Sequence, residues 1–397
     1  ELSKQSELTV IFDKHWSDYW GKYEYFDKFK KENSNIKFNW IPEINNFKKS
    51  YLSRLIELRS LISYHLRKDK NIFYQNRWQR YVSKKILGLI ENKITNKIII
   101  NKIFALILDV LIKLWPNDKK IKIFLKNKNF DTLIITPGNM RYSSEILFLK
   151  SNIKNKYVYT LSWDNLSTKG YFSIKPNKIF VWNDMHELHA KQIHGFKKKN
   201  IKKYGSLFFE KWHKREDGYN NLKKNIDFKK LNDFKKNKKF ILYLGSSKNV
   251  AKDESFVVDN ILRAFLKNKK DYKLVIRSHP ANSDPFIKFT RNKDILILNG
   301  KLPELNQDIT FLKYLISSSF GIVGINTSAM LECMLLGKYC NTILIEKFYN
   351  TQKNAQHFKF YQELSGLIIN NSYEEILKNI EVSKNIPLQD RKKISEK

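Results

Sequence analysis

Short apolar runs rich in branched and aromatic residues alternate with helix-period segments along most of this chain, and that alternation restricts the fold more than any other feature. "TLIITP" (132–137), "KYVYTLSW" (156–163), "KIFVWN" (178–183) and "IKKYGS" (201–206) are strand-like. Helical stretches near 143–150 and through "DMHELHAKQI" separate them. The pattern resumes with "FILYLGSS" (240–247), "YKLVIRSHP" (272–280), "DILILNG" (294–300), "FGIVGI" (320–325) and "NTILIE" (341–346), and helices are expected near 254–267, 309–317 and 328–336. Strands joined through helices form parallel sheets covered on both faces. Two such series predict an α/β chain of two doubly wound domains facing a cleft.

The stretch 213–238, "HKREDGYNNLKKNIDFKKLNDFKKNK", is polar, charged and weakly periodic, and is the expected linker. It divides an N-terminal domain, 1–212, from a C-terminal domain, 239–397. The first begins with "LTVIF" (8–12) and "IKFNW" (36–40), both strand-like, followed by a helical segment over 46–115 with a polar interruption at 68–78 and a stop at Pro116. Within that segment "IIINKIFALILDVLIKLW" (98–115) is apolar but carries Lys102, Asp109 and Lys113. A membrane span needs about 20 residues with few or no charges, so a long, mostly buried helix is expected, with an interfacial helix as the alternative.

With 397 residues, 42% of them hydrophobic, the chain is large enough for two cores. Lys and Arg number 74 against 39 Asp and Glu, a net charge of +35. Such a charge first suggests nucleic acid or anionic lipid. The basic residues do not form one stripe, however, and Lys, Asn and Ile are enriched together along the whole chain, as biased base composition would produce. No nucleic-acid reader motif is present, so anionic substrates or an anionic membrane face are the expected partners. Cys333 and Cys340 give neither a disulfide framework nor metal-ligand spacing, which favours a reducing compartment. The start shows no signal-peptide pattern, and the expected location is the cytoplasm, including the inner face of the cell membrane.

In open parallel sheets, ligands bind beyond the carboxyl ends of the strands, and the second half collects its unusual residues there. Gly245, Ser246 and Ser247 end one strand; Arg277 and His279, braced by Pro280, end another; Asn326, Thr327 and Ser328 follow a third and open a helix. A helix start offers N–H groups and a favourable dipole to an anion, and Glu332 lies one turn further on, where it could accept from ribose hydroxyls. Each feature alone has a plain structural reading as a turn, a capped loop, a helix cap or a solvated carboxylate. Their coincidence at three strand ends is the more specific signal. In the first half, "SWDNLSTKG" (162–170) brings Trp163, Asp164 and Asn165 together; Asp164 is a candidate general base for an acceptor hydroxyl, with an Asx turn as the structural alternative. "TPGNMRYSSE" (136–145) adds Arg141, Ser143 and Ser144 as residues expected to line the cleft. In "HELHAKQIH" (186–194), His186 and His189 are three apart rather than four, so an exposed helix face is expected and no metal site.

The segments "RSHPAN", "VGINTSAMLECMLLGKYC" and "YNTQKNAQHFKFYQEL" resemble a group of bacterial GT-B-fold glycosyltransferase-like proteins of surface-polysaccharide biosynthesis, and "SWDNLSTKGYFSIKPNKIFVWNDMHELHAKQIHG" is similar to that group's Trp-Asp-Asn and Val-Trp-Asn segments. The likeness runs from about "DKHWSDYW" onward. More distantly, the His-Pro loop and the helix-start serines resemble CDP-glycerol glycerophosphotransferases and CMP-sialic acid transferases. The resemblance implies Arg277 and His279 near the donor phosphates, Thr327 and Ser328 on them, and Glu332 by the ribose. It implies Gln352, Gln356 and His357 where sugar and acceptor meet, with Asp164 and Asn165 facing them. Members usually begin with one further βα unit and extend past "RKKISEK", so the sequence reads as a fragment.

Together these features lead to a metal-independent, cofactor-free glycosyltransferase that moves a sugar from a nucleotide-activated donor to a cell-surface glycan or lipid-linked acceptor. Peripheral contact with an anionic membrane is part of that expectation, and nucleic acid is not. The alternatives are a CDP-polyol phosphotransferase or nucleotide-sugar epimerase on the same scaffold, or a non-catalytic basic protein binding nucleic acid or membrane.

Overall fold

A computed structural model describes residues 6–12, 23–42, 46–67, 71–80, 98–139, 143–213, 220–301 and 306–383, together with 82, 84, 87 and 88. The chain divides into two compact units, Glu1–Ser206 and Leu207–Lys397. The break falls ahead of the stretch expected as a linker. Within that stretch, Asn220–Lys224 and Ile226–Lys235 are helical, because Leu222 and Leu231 are fully buried and anchor two polar turns to the rear unit.

The rear unit is one six-stranded parallel sheet. Its strands are β7 (Phe240–Leu244), β8 (Lys273–Ser278), β9 (Ile295–Asn299), β10 (Gly321–Gly324), β11 (Cys340–Ile343) and β12 (Leu367–Asn370). Their spatial order is β12-β11-β10-β7-β8-β9. The first strand of the unit is therefore central, with the next two on one side and the last three on the other. This is the doubly wound order, and it puts the reversal of winding between β7 and β10. β7 is buried at every position, as a strand covered on both faces must be. Ile241, Tyr243, Leu274 and Ile276 pack with Val257, Ile261 and Phe286 on one side of the sheet.

The front unit pairs β3 (Thr132–Ile135), β4 (Asn155–Tyr159), β5 (Lys178–Val181) and β6 (Ile201–Lys203) consecutively and in parallel, while β1 (Thr9–Phe12) and β2 (Lys37–Trp40) form a separate parallel ladder. The chain is thus α/β with parallel sheets in both units, as the alternation demands. Leu52, Ile56, Ile112, Ile146, Val158 and Phe172 belong to the front core.

Two expectations for the helical segment change. The polar interruption holds the helix Ile72–Gln79, because Tyr74 and Trp78, one turn apart, are both buried. The helix Ile98–Leu114 forms as expected but is not mostly buried. Only Asn101, Ala105, Leu108 and Ile112 are covered, whereas Ile99 and Leu114 are 73% exposed. It is pinned to the helix Asn46–Leu66 by a bidentate pair, Arg59 Nε to Asp109 Oδ1 and Nη2 to Oδ2, each 2.9 Å. No described helix is long and apolar enough to cross a membrane.

Candidate functional site

In the rear unit, the loops after β7, β8 and β10 leave three neighbouring strands at the carboxyl edge, where the winding reverses between β7 and β10. β7 stops at Leu244, and the Gly245 N–H donates to Arg277 O at 2.9 Å. A side chain at Gly245 would sit 3.1 Å from His279 N and 3.1 Å from Ser278 Cα. The glycine is there because the β8 loop crosses at backbone distance. The Ser246 N–H donates to the buried Glu254 carboxylate at 2.5 Å, and Tyr243 Oη donates to its other oxygen at 2.9 Å. Burial raises the Glu254 carboxyl to about 7 against those two bonds. Asn282, buried, donates from Nδ2 to Ser246 O at 2.9 Å and Ala251 O at 3.0 Å, so the β8 loop is tied across the β7 loop at a second point.

His279 is half-buried at the start of that β8 loop. Its Nδ1 accepts the Ala281 N–H at 3.1 Å, while burial and then the Arg277 charge lower its pKa to about 4. Near neutral pH the ring is therefore uncharged with its proton on Nε2, a donor suited to an anionic oxygen.

After β10, Asn326 is buried and Ser328 exposed. Asn326 Nδ2 donates to Thr351 O and also lies 3.2 Å from His357 Nε2. Thr351 Oγ1 donates to Val250 O at 2.8 Å, which fastens the 346–355 loop to the loop after β7. Thr327 O accepts from Tyr361 Oη at 2.7 Å. The N–H groups of Met330 and Leu331 turn back onto Thr327 and Ser328 carbonyls. Among the described residues, the N–H groups with no backbone partner are earlier, at Thr327, Ser328 and Ala329. Ser328 makes no side-chain cap and is exposed at the entrance to the helix Ala329–Leu335. Glu332 is not a solvated helix residue: it is 5% exposed and engaged within the protein.

Two residues expected where sugar meets acceptor are inside the rear unit instead. Gln352 is fully buried and its amide is consumed, with Nε2 donating to Ile325 O (3.1 Å) and Ile343 O (3.0 Å) and Oε1 accepting from Ile345 N (3.1 Å). It staples the ends of β10 and β11. His357, 6% exposed, is the partner of Asn326. Gln356 alone of the three is half-buried, at the start of the helix Gln356–Glu363.

In the front unit, Asp164 sits at the start of the helix Asn165–Thr168. Its Oδ1 accepts from Ser162 Oγ and its Oδ2 from Thr168 Oγ1, both at 2.7 Å, with Lys169 Nζ 3.5 Å away. Asn165 is fully buried; its Nδ2 donates to Asn139 Oδ1, while Asn139 Nδ2 donates to the Asn165 backbone carbonyl at 3.2 Å and to Gly170 O at 3.0 Å. It is a lock, not a surface that meets a ligand. Trp163, 6% exposed, likewise packs inward. Ser143 and Ser144 open the helix Ser143–Leu149, and Arg141 lies outside the described residues.

The histidines of "HELHAKQIH" are buried, contrary to an exposed face. His186 Nε2 donates to Trp163 O at 2.7 Å and His194 Nε2 to Leu166 O at 2.8 Å. Burial lowers their pKa values to about 4 and about 3. Both rings therefore stay neutral and hold the Asp164 loop from behind. Among the described residues no group of three His, Cys, Asp or Glu side chains is placed to hold a metal ion.

No protein-family model matches the sequence, and no curated protein matches it. Among solved structures, the chain is similar to a Methanocaldococcus jannaschii UDP-GlcNAc 2-epimerase in complex with UDP-GlcNAc and UDP, at 16% identity, over 72% of this chain and 82% of that one, with a TM-score of 0.46. A Neisseria meningitidis UDP-GlcNAc 2-epimerase bound to UDP-GlcNAc gives 12% identity, 72% and 76% coverage and a TM-score of 0.47. The wall teichoic acid polymerase TagF gives 12%, 64%, 70% and 0.37.

Glu254 and Asn282 escape sequence reading, although they set the two loops that carry Ser246 and His279. Glu254 opens the helix expected near 254–267, and its charged stretch, "AKDESF", carries no mark of a buried carboxylate. The signal was Tyr243: a tyrosine inside a strand buried on both faces needs a partner for its hydroxyl. Asn139 escapes likewise, two residues past Pro137 in a stretch that reads as a turn.

Proposed function

We propose that the chain is a glycosyltransferase that takes a sugar from a nucleotide-activated donor and gives it to a surface-glycan or lipid-linked acceptor, without a metal ion. The observation that carries this reading is that the β7, β8 and β10 loops leave adjacent strands at the carboxyl edge beside the switch point, one bearing a neutral imidazole and another a helix start. There the His279 Nε2–H and the N–H groups of Thr327, Ser328 and Ala329 would donate to phosphate oxygens, and the nearby Arg277 adds positive charge. In transfer, the bond from the sugar carbon to the phosphate oxygen breaks, and the leaving nucleotide keeps the electron pair. Donors fixed on that oxygen stabilise its growing charge without reorganising. The sugar carbon bonds to the acceptor oxygen, whose proton needs an acceptor; Asp164 is the carboxylate we assign to it. Glu332 stays assigned to the donor's ribose end, and an anionic membrane face to the acceptor's surroundings.

The test is a thermal-shift screen of UDP-, CDP- and CMP-linked donors, followed by turnover with and without acceptor. His279→Ala should lower turnover by about a hundredfold or more while the melting temperature holds. Near-normal turnover by that variant overturns the assignment. Conversion of a UDP-sugar without acceptor would make the chain an epimerase, and stabilisation by CDP-glycerol alone would make it a polyol-phosphate transferase.

A further inference from the structure

The helix Ile98–Leu114 is more apolar on the side it shows to solvent than on the side it packs. At about 100° per residue, Asn101, Ala105, Leu108 and Ile112 fall on one narrow stripe, and those are its buried residues. The opposite arc carries Ile99 (73% exposed), Ile103 (54%), Leu106 (64%), Val110 (46%) and Leu114 (73%). They recur at spacings of three and four over the length of the helix, so the exposed apolar surface is continuous rather than scattered. Patches of this kind mark interaction sites. Lys102 and Lys113, both exposed, fall together along one edge of the arc, where long stems lie on apolar surface and ammonium groups reach past it.

The next helix, Lys119–Lys128, repeats the combination. It begins five residues on, exposes Lys119, Lys120, Lys122, Lys126 and Lys128, and shows Ile123 at 59% exposure. We infer that the outer face of Ile98–Leu114, with the lysines of Lys119–Lys128, is a docking surface for an anionic lipid bilayer. The helix lies in the interface with its apolar arc among the acyl chains, and the lysines meet the headgroups.

Charge selects this occupant over a second copy of the chain. The protein carries +35, and a second copy would bring more positive charge to a face already edged with lysines. An anionic bilayer offers the same apolar cover with opposite charge. The helix is also held for such a role: the Arg59–Asp109 pair and the buried stripe fix it to the front unit, so docking orders nothing new. The inference adds a specific surface to the membrane contact assigned above, and it does not depend on which reaction the rear unit performs.

Co-sedimentation of the full chain with vesicles tests it without any turnover. Phosphatidylglycerol–phosphatidylcholine vesicles should retain the protein, and pure phosphatidylcholine vesicles should retain much less. Leu106→Glu with Val110→Glu should weaken retention by about tenfold or more, with the circular dichroism and melting temperature of the parent, since both side chains point outward. Lys119→Glu with Lys120→Glu and Lys122→Glu, which leaves the apolar arc intact, should weaken it too and flatten its dependence on salt. Failure of the parent to bind, equal retention on both vesicle types, or parent-like binding by the leucine–valine variant overturns the inference. So does a dimer in solution that Leu106→Glu and Val110→Glu dissociate while vesicles capture nothing, which would give the face to a second copy. A chain that binds vesicles but turns over no donor leaves this inference standing and removes only the transferase reading.

Discussion

Asn139 and Asn165 meet amide to amide at the carboxyl edge of the front sheet. Asn165 Nδ2 donates to Asn139 Oδ1, while Asn139 Nδ2 donates to Asn165 O at 3.2 Å and Gly170 O at 3.0 Å. The turn after β3 and the Asp164 loop are therefore one hydrogen-bonded body, closed further by Gly170 N on Asn139 O at 2.8 Å. Both side chains are buried, at 2% and 0% exposure. Asn165→Ala strips partners from Asn139 Oδ1 and Leu161 N, and a buried group left unmade costs about 1–3 kcal/mol. The variant should lose about 2–4 kcal/mol in urea unfolding. Asn165→Asp should be at least as damaging, because it replaces the amide donor with an acceptor facing an acceptor. A loss below experimental scatter for both variants would show that the lock carries no stability.

His186 and His194 should shift stability with pH in the opposite sense to Glu254. His186 and His194 have pKa values lowered from 6.5 to about 4 and about 3, chiefly by burial. Below 6.5 the unfolded chain takes up protons that the folded chain refuses. Their contribution is whole above 6.5 and is lost as pH falls toward 4 and 3, with a slope of up to about 1.4 kcal/mol per unit for each ring. Glu254 runs the other way. Burial raises its carboxyl from 4.5 to about 7, so the folded state holds a proton there. That contribution is whole below 4.5 and is lost as pH rises through 7. Urea midpoints across this range should show His194→Gln flattening the acid loss, since its amide can still donate to Leu166 O. Glu254→Gln should remove the loss on the alkaline side, because it can still accept from Ser246 N. Unchanged slopes in both variants would refute these origins.

Most of the architecture was legible in the sequence, and its edges were not. Every strand-like run from "LTVIF" to "NTILIE" is a strand, because a branched run between turn residues has few other ways to bury itself. What the sequence hides is the side a residue faces and its distant partner. Asp164 and Asn165 are neighbours with equal promise as ligands, yet one is a half-buried cap and the other is locked to a residue 26 positions away. Gln352 and Gln356 share the same fate. The helix Ile98–Leu114 is apolar nearly all round, which reads as burial; how much is covered depends on what packs against it, and that is not written in its own residues. The three strand-end loops were legible because the carboxyl edge of a parallel sheet is fixed by topology.

Gly245 is the narrowest point of the rear site. A methyl group there would meet His279 N and Ser278 Cα at 3.1 Å and Phe286 Cε2 at 3.2 Å. Two of those atoms are backbone, so the β8 loop must shift rather than a side chain turn away. Gly245→Ala should therefore cost stability modestly, about 1–3 kcal/mol as overpacking. Turnover should fall further than that loss implies, because displacement of about 1 Å at a reacting centre can cost a hundredfold. Kinetics at a temperature where the variant is fully folded measures the second effect by itself. Parent-like turnover would show that the His279 loop tolerates displacement and does not contact the donor.

Gln352 and Gln356 provide a final separation between holding the site and serving it. Removing the Gln352 amide leaves Ile345 N unpartnered and takes a donor from both Ile325 O and Ile343 O, at the ends of two neighbouring strands. Gln352→Ala should lower stability by about 2–4 kcal/mol and leave the KM for donor unchanged in the molecules that remain folded. Gln356, half-buried at a helix start with no side-chain cap, should behave in reverse. Gln356→Ala should keep stability within about 0.5 kcal/mol, as at an ordinary surface position, while raising KM or lowering kcat if that side chain meets sugar or acceptor. A Gln356→Ala variant with parent kinetics would remove it from the site. A Gln352→Ala variant that stays stable but loses donor binding would mean that the staple opens and its amide reaches the ligand directly.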